Sequence, residues 1–308
     1  MLRMRDFPSC FGENGVQIAD ASSSSSSSGV STDRNAQSLV TCVYQCKLHS
    51  CCFIVTTTWT KNIMGQALSV EIDDSSTQSV CKLEIKPWLF SKRKGFKTME
   101  MGSNSIHAFW DLSSAKFGSS PEPIEGFYFA ITVNQELILL LGDMEKEVYK
   151  KMNHVMTSSP NSVFVSKKEH IFGKKVYATT AQFCGKGQVH EVLIECDTIS
   201  TNDPCLLIRI DGKLVLQVKR LRWKFRGNCT ILIDGLPVEV YWDVYGWFFG
   251  NFIGNAVFLF QTCLSAEKLW GSGSGSDHSG VSWSSSLGKD SRSQGLGFSL
   301  VLYAWKNE

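Results

Sequence analysis

The segment CTILIDGLPVEVYWDV (229–244) reads as strand, turn, strand. In its second half Val238, Val240, Trp242 and Val244 fall on one face, while Glu239, Tyr241 and Asp243 fall on the other, the period of two that a half-buried strand requires. Asp234-Gly235 separates the two runs, and a tight hairpin turn favours this pair because its central residues take positive φ. The segment is therefore a β-hairpin that buries one face of its second strand.

The same alternation extends outward over most of the chain. Strands are predicted at 39–48, 51–60, 67–73, 79–86, 105–113, 125–133, 136–141, 162–171, 174–183, 187–196, 205–210, 213–225, 229–234, 238–244 and 255–262, with a last one in 297–305. Asp211-Gly212 and Arg226-Gly227-Asn228 supply further turn chemistry. Only DMEKEVYKKMN (143–153) carries charges at helical spacing.

An internal echo runs at a separation of 132 positions. Lys92, Gly95, Thr98, Trp110, Asp111 and Phe117 are matched by Lys224, Gly227, Thr230, Trp242, Asp243 and Phe249. Trp88-x-Phe90 likewise echoes Trp223-x-Phe225, with a turn three residues longer in the first copy. The fold expected is mainly β, an antiparallel sandwich or barrel of two sequence-related modules with few short helices. The division expected is an N-terminal flexible arm over 1–38, a first β module over 39–142, a helical or loop connector over 143–160 and a second β module over 161–305. A disordered insert is expected at 271–295. Both low-complexity tracts, Ser22–Ser28 and GSGSGSDHSGVSWSSSLGKDSRSQG (271–295), lack the apolar surface that would offset the entropy of ordering them.

With 43% hydrophobic residues in 308, the chain has material for a large core, and wholesale disorder is excluded. A formal net charge of +2 implies no global attraction to nucleic acid or membrane, so any such attraction must be local. MLRMRDFPSC at the start lacks the apolar run of a secretory signal, so the 11 cysteines are expected reduced, and a cytoplasmic or nuclear location follows. Asn228-Cys229-Thr230 then has no glycosylation role. The uncharged stretch Val244 to Ala266 is long enough to span a bilayer, but Asn251, Asn255, Gln261 and three glycines interrupt it, so no membrane span is expected.

The local cationic cluster is VKRLRWKFRG (218–227). As a strand it would place Arg220, Arg222, Lys224 and Arg226 in a line on one face, with Leu221, Trp223 and Phe225 opposite. Such a stripe suits a polyanion or an acidic lipid. A face paired with neighbouring carboxylates such as Glu239 and Asp243 is the plainer alternative. Lys92, Arg93, Lys94 and Lys97 make a weaker version in the first copy. Beside each repeated tryptophan, Phe109 with Asp111 and Tyr241 with Asp243 face away from the core side, an aromatic–carboxylate arrangement that could line a ligand pocket or cap a turn.

The remaining candidates carry less. Cys42, Cys46, Cys51 and Cys52 with His49 lack the paired knuckles of a structural zinc site, so no metal is expected. His190-Glu191 opens HEVLI, which fails the zinc-protease pattern; Glu169-His170 diverge on a strand; His107 lies opposite Trp110. GSGSG (271–275) lacks the strand-to-helix setting of a dinucleotide loop, so no cofactor is implied.

Several longer motifs carry a family resemblance: DFPSCFGENGVQIADAS (6–22), WDLSSAKF (110–117), EPIEGFYFAI (122–131), KKEHIFGKKVYAT (167–179), IDGKLVLQVKRLRWKFRGN (210–228), VEVYWDV (238–244) and SLVLYAWK (299–306). Together the chain resembles the plant family of domain of unknown function 868. The resemblance implies a plant protein of a family without an assigned activity, and carries over no site residue. The function expected is a non-enzymatic binding or scaffold protein that holds an anionic partner on the cationic strand face. Two alternatives stay open. One is a carrier of a small apolar or carbohydrate ligand between the modules; the other is an enzyme whose acids and histidines meet only in three dimensions.

Overall fold

The structure is a computed structural model that describes residues 38–49, 51–75, 79–86, 92–151, 160–184, 187–196, 203–249, 254–262 and 297–306. The sequence-predicted arm up to residue 37, the insert 271–295 and Trp88-x-Phe90 lie outside the described residues. Alternation translates into strands nearly throughout. The first four, β1 (Ser38–Leu48), β2 (Cys51–Asn62), β3 (Gly65–Asp74) and β4 (Ser79–Ile85), form an antiparallel meander. Next come β5 (Lys94–Met101) and β6 (Asn104–Asp111), a short ribbon of β7 (Lys116–Phe117) and β8 (Pro123–Glu125), then β9 (Tyr128–Val133) and β10 (Glu136–Gly142). Helix α1 (Glu145–Lys151) falls where charges at helical spacing predicted it.

Strand β11 (Ser162–Gly173) leads into a second antiparallel meander, β12 (Val176–Gln182), β13 (Val189–Cys196), β14 (Leu206–Ile210) and β15 (Lys213–Val218). The hairpin of β16 (Arg226–Ile233) and β17 (Leu236–Asp243) follows, then α2 (Tyr245–Phe249), β18 (Asn255–Thr262) and β19 (Ser299–Lys306). The uncharged stretch from Val244 thus enters a five-residue helix and a strand, and no helix among the described residues is long and apolar enough to cross a membrane.

Three sheets build the layers. The largest has nine strands in the order β16-β17-β18-β19-β11-β1-β2-β3-β4; two four-stranded sheets run β10-β9-β6-β5 and β12-β13-β14-β15. Each small sheet covers one end of the large one. Val40, Val55, Trp59, Val70 and Leu83 of β1–β4 pack with Ile106, Phe129 and Ile138 of one small sheet. Val240, Trp242, Phe258 and Leu300 pack with Val192, Ile194 and Ile208 of the other. Sandwich packing is therefore the architecture, with one continuous sheet serving both sandwiches. The outer side of β9 is covered as well, by Val148 and Tyr149 of α1, which explains why all six β9 residues are buried.

The sheets are antiparallel as expected, with one parallel pair among the described strands. β19 pairs antiparallel with β18 but parallel with β11, from Ser166↔Ser299 to Gly173↔Lys306. A parallel pair requires a long crossover, and everything from β12 to β18 lies between the two strands in the chain.

The hairpins β5–β6 and β16–β17 share one set of contacts. Gly95 pairs with Trp110, and Gly227 with Trp242. Each indole lies over its glycine, where a Cβ would come within 2.2 Å of Trp110 and 2.3 Å of Trp242. Lys94 Nζ meets Asp111 Oδ2 at 2.8 Å, and Arg226 Nε meets Asp243 Oδ2 at 2.8 Å. The indole N–H groups donate to Lys92 O and Lys224 O, and Asp111 and Asp243 accept from the amides of Ser113 and Tyr245. Burial opposes the Asp111 anion, yet the Lys94 ammonium and the Ser113 donors outweigh it and hold its pKa below the usual carboxylate range.

Because both glycines lack positive φ, their requirement is steric. Gly95→Ala and Gly227→Ala are each expected to cost about 1–3 kcal/mol by forcing the indole aside, whereas Leu232→Thr on the exposed face should stay within about 0.5 kcal/mol. Urea unfolding midpoints of the three variants check this.

Candidate binding surface

The sequence pattern continued β15 to residue 225, but the strand ends at Val218. Arg220 adopts φ 55°, a left-handed conformation that breaks the ladder. The next amides then bond locally. Leu221 N–H donates to Pro204 O at 3.1 Å, while Trp223 and Lys224 N–H both reach Arg220 O, at 2.9 and 3.1 Å. Alternating residues gave the right period for a strand, yet the same spacing suits a compact turn whose apolar residue plugs the core. That residue is Leu221, fully buried.

The predicted two-faced stripe is therefore replaced by a projecting turn. Lys219, Arg220, Arg222 and Lys224 are exposed, and no carboxylate partner meets them among the described residues. Trp223, expected to share the Leu221 face, is 86% exposed. Arg226 departs from the group: it starts β16, is pinned to Asp243, and lies over the rings of Phe225 and Tyr245 at 5.6 and 5.4 Å. The far end of the turn is held by the Trp242 indole on Lys224 O (3.0 Å) and by Val244 N–H on Phe225 O (2.9 Å). Phe225 in turn contacts Tyr245 and Phe249 of α2, which are 45% and 52% exposed. The result is a fixed basic turn with aromatic rings on its flank.

The two aromatic–carboxylate pairs are placed apart, on different sheets. Phe109 packs toward the α1 side and contacts Phe96 at 4.9 Å, and Asp111 is held by Lys94. The Tyr241 hydroxyl donates to Glu239 at 2.5 Å, and Asp243 is held by Arg226. A cleft of about 260 Å³ does open elsewhere, lined by Lys175, Val176, Glu195, Cys196, Asp203, Cys205 and Leu207, none of which belongs to these pairs.

The nine cysteines among the described residues are free thiols. Burial pushes Cys46 up to about 12 and Cys42 well above its ordinary value. His49 turns to Glu136, 3.7 Å away, and no group of His, Cys, Asp or Glu among the described residues is arranged to hold a metal. His170 packs against Tyr303 and Trp305, and burial lowers its pKa. His107 bonds to Ser105 Oγ at 3.0 Å.

Sequence reasoning missed two clusters. The first lies on the inner side of β11, where Lys167 and Glu169 are both buried. Lys167 Nζ is 3.3 Å from Glu122 and 3.3 Å from Glu169, and it donates to Thr180 O at 3.2 Å. Thr179 Oγ1 donates to Glu169, and Cys42 Sγ to Glu122. No local pattern announces this cluster, since Glu122 and Cys42 are remote in sequence. The second joins His190 to both Asp-Gly turns: Nδ1 is 2.7 Å from Asp211 and Nε2 is 2.9 Å from Asp234. With a carboxylate on each ring nitrogen, both must carry hydrogen, so the group is an imidazolium that ties the β14–β15 turn to the β16–β17 turn. Burial disfavours this cation, but the Asp211 hydrogen bond and the two carboxylate charges prevail and raise its pKa.

A family model for plant proteins of unknown function, DUF868, matches residues 35–306. The chain belongs to that family. No curated protein and no solved structure matches it significantly. The family match spans every element described above, including the basic turn, the β11 cluster and the His190 clamp.

Two outcomes are expected of these clusters. Lys167→Met should destabilise by about 3–5 kcal/mol, because it strands two carboxylates out of water, and adding Glu169→Gln should recover part of the loss in chemical denaturation. The His190 pKa is raised, so its contribution is fully present below about pH 6.5, the unfolded value, and fades as pH rises through the folded value. Asp211 is lowered, first by its hydrogen bond to His190, so its contribution is lost only as pH falls through its own folded pKa. Urea midpoints followed from about pH 5.5 to about pH 9 should show an alkaline decline that His190→Gln abolishes.

Proposed function

We propose that the protein is a non-enzymatic binding module that holds an anionic partner on the basic turn 219–224. The observation that carries this reading is the company kept by the cations. Arg226 and Lys94 each have a carboxylate at 2.8 Å, but Lys219, Arg220, Arg222 and Lys224 project from a turn that contains no Asp or Glu. Four cations that meet no carboxylate among the described residues, on a backbone fixed at both ends, form a local positive field on a chain whose net charge is only +2. Ordering such a surface costs little on binding, because the turn is already built.

The shared contacts of the two Trp–Gly hairpins support reading the chain as two copies of one module. In that reading the copies have diverged at this turn. Both copies commit the cation that opens the hairpin, Lys94 to Asp111 and Arg226 to Asp243; they differ in the residues before it, where the first brings Arg93 Nη1 to Ser113 O at 3.5 Å and the second carries the exposed cations Lys219, Arg220, Arg222 and Lys224.

The test is retention on immobilised heparin across a salt gradient. The variant is Lys219→Ser, Arg220→Asn, Arg222→Ser and Lys224→Ser, with Asn chosen because it tolerates the left-handed backbone at 220. The native protein should show a steep salt dependence. The variant should lose about 0.7–0.9 of log–log slope for each phosphate-type contact removed. Native and variant proteins eluting together would overturn the reading.

A further inference from the structure

We propose that the anionic partner is a bilayer surface, with Trp223 as the group that enters it; this rests on the binding role of the basic turn. Electrostatic attraction alone would account for the cations, but not for a tryptophan 86% exposed at the centre of them. An indole held in water forgoes one of the largest hydrophobic gains a side chain can make. It is favoured where one end meets an apolar phase and the other a wet one, as at the headgroup level of a membrane. The flanking sequence places Arg220, Arg222 and Lys224 within three residues of Trp223, all exposed, where they would meet lipid phosphates as the ring enters.

The neighbouring rings favour a bilayer over single-stranded nucleic acid. A strand of bases needs successive open aromatic faces. Phe225 instead meets Tyr245 and Phe249 edge-on, at 61° and 76°, and Tyr245 and Phe249 lie 5.1 Å apart. These rings occupy one another's faces and offer an apolar cluster, which suits acyl chains and headgroup boundary better than stacked bases. The turn is also tied down at Leu221, Lys224 and Phe225, so Trp223 projects from a rigid support.

Co-sedimentation with vesicles tests this, using the whole chain. Vesicles of phosphatidylcholine alone are compared with vesicles containing one part phosphatidylserine in three, beside heparin and a single-stranded oligonucleotide. The native protein should bind the anionic vesicles selectively. Trp223→Ala should weaken that binding about tenfold, the scale of one partly buried aromatic, while heparin retention and thermal unfolding stay unchanged. Each turn cation removed should cost about fivefold. Heparin binding without vesicle binding, vesicle binding indifferent to Trp223→Ala, or tighter binding to the oligonucleotide would each overturn the membrane assignment and leave the basic turn as an anion site. Binding to none of the probes would overturn both readings.

Discussion

Strand β11 has to satisfy two neighbours of different origin at once, β1 on one edge and β19 on the other, and the continuity of the nine-stranded sheet depends on it. The two small sheets cover the ends of the large one. On β11, Phe164 packs against the cores on both sides. There the strand turns Lys167 and Glu169 inward, in the place of apolar residues. Burying charge is costly unless each group is paired. Lys167 is met by Glu122 from the first half and by the Thr180 carbonyl from the second, so the pairing that makes burial tolerable also draws partners from both sandwiches.

The same logic, local groups satisfied by remote ones, holds the second sandwich together at its rim. The two Asp-Gly turns end hairpins in opposite sheets, and each alone would be a solvated loop. His190 makes them one unit. The basic turn is fixed by comparable means, with Leu221 inserted into the core and carbonyls at 224 and 225 occupied by β17 and the residue after it. Fixation of the backbone there contrasts with the exposure of the side chains it carries.

Much of the fold was legible because alternation is a local signal. Val238, Val240, Trp242 and Val244 are all buried as their spacing required, and the final strand docks back into the body as its apolar run suggested. Alternation failed at 219–225 because it records which residues are apolar, not where the backbone amides go; one left-handed residue, Arg220, ended the ladder and reversed the fate of Trp223. Strand order was not legible at all. Nothing in SLVLYAWK states that its neighbour will be parallel β11. The clusters at Lys167 and His190 were hidden for a related reason, since their contacts join residues up to 80 apart in the first and 21 and 44 apart in the second, and no spacing rule links them. The cations themselves were visible in the sequence; that no carboxylate among the described residues meets those of 219–224 was not.

The parallel seam between β11 and β19 sets an order of events during synthesis. Strand β11 is complete by residue 173, yet its partner on that side begins only at 299. The first four strands and their cover can fold as they emerge, while one edge of β11 waits for more than a hundred residues to follow. β18 waits likewise, for a shorter time. Joining the nine-stranded sheet across β11 and β18 therefore waits for β19, the last strand described, and until then two strand edges stand open. An unpaired edge is a template for association with other chains, so the nascent protein passes through a period in which β11 and β18 need protection that the finished sheet supplies by itself.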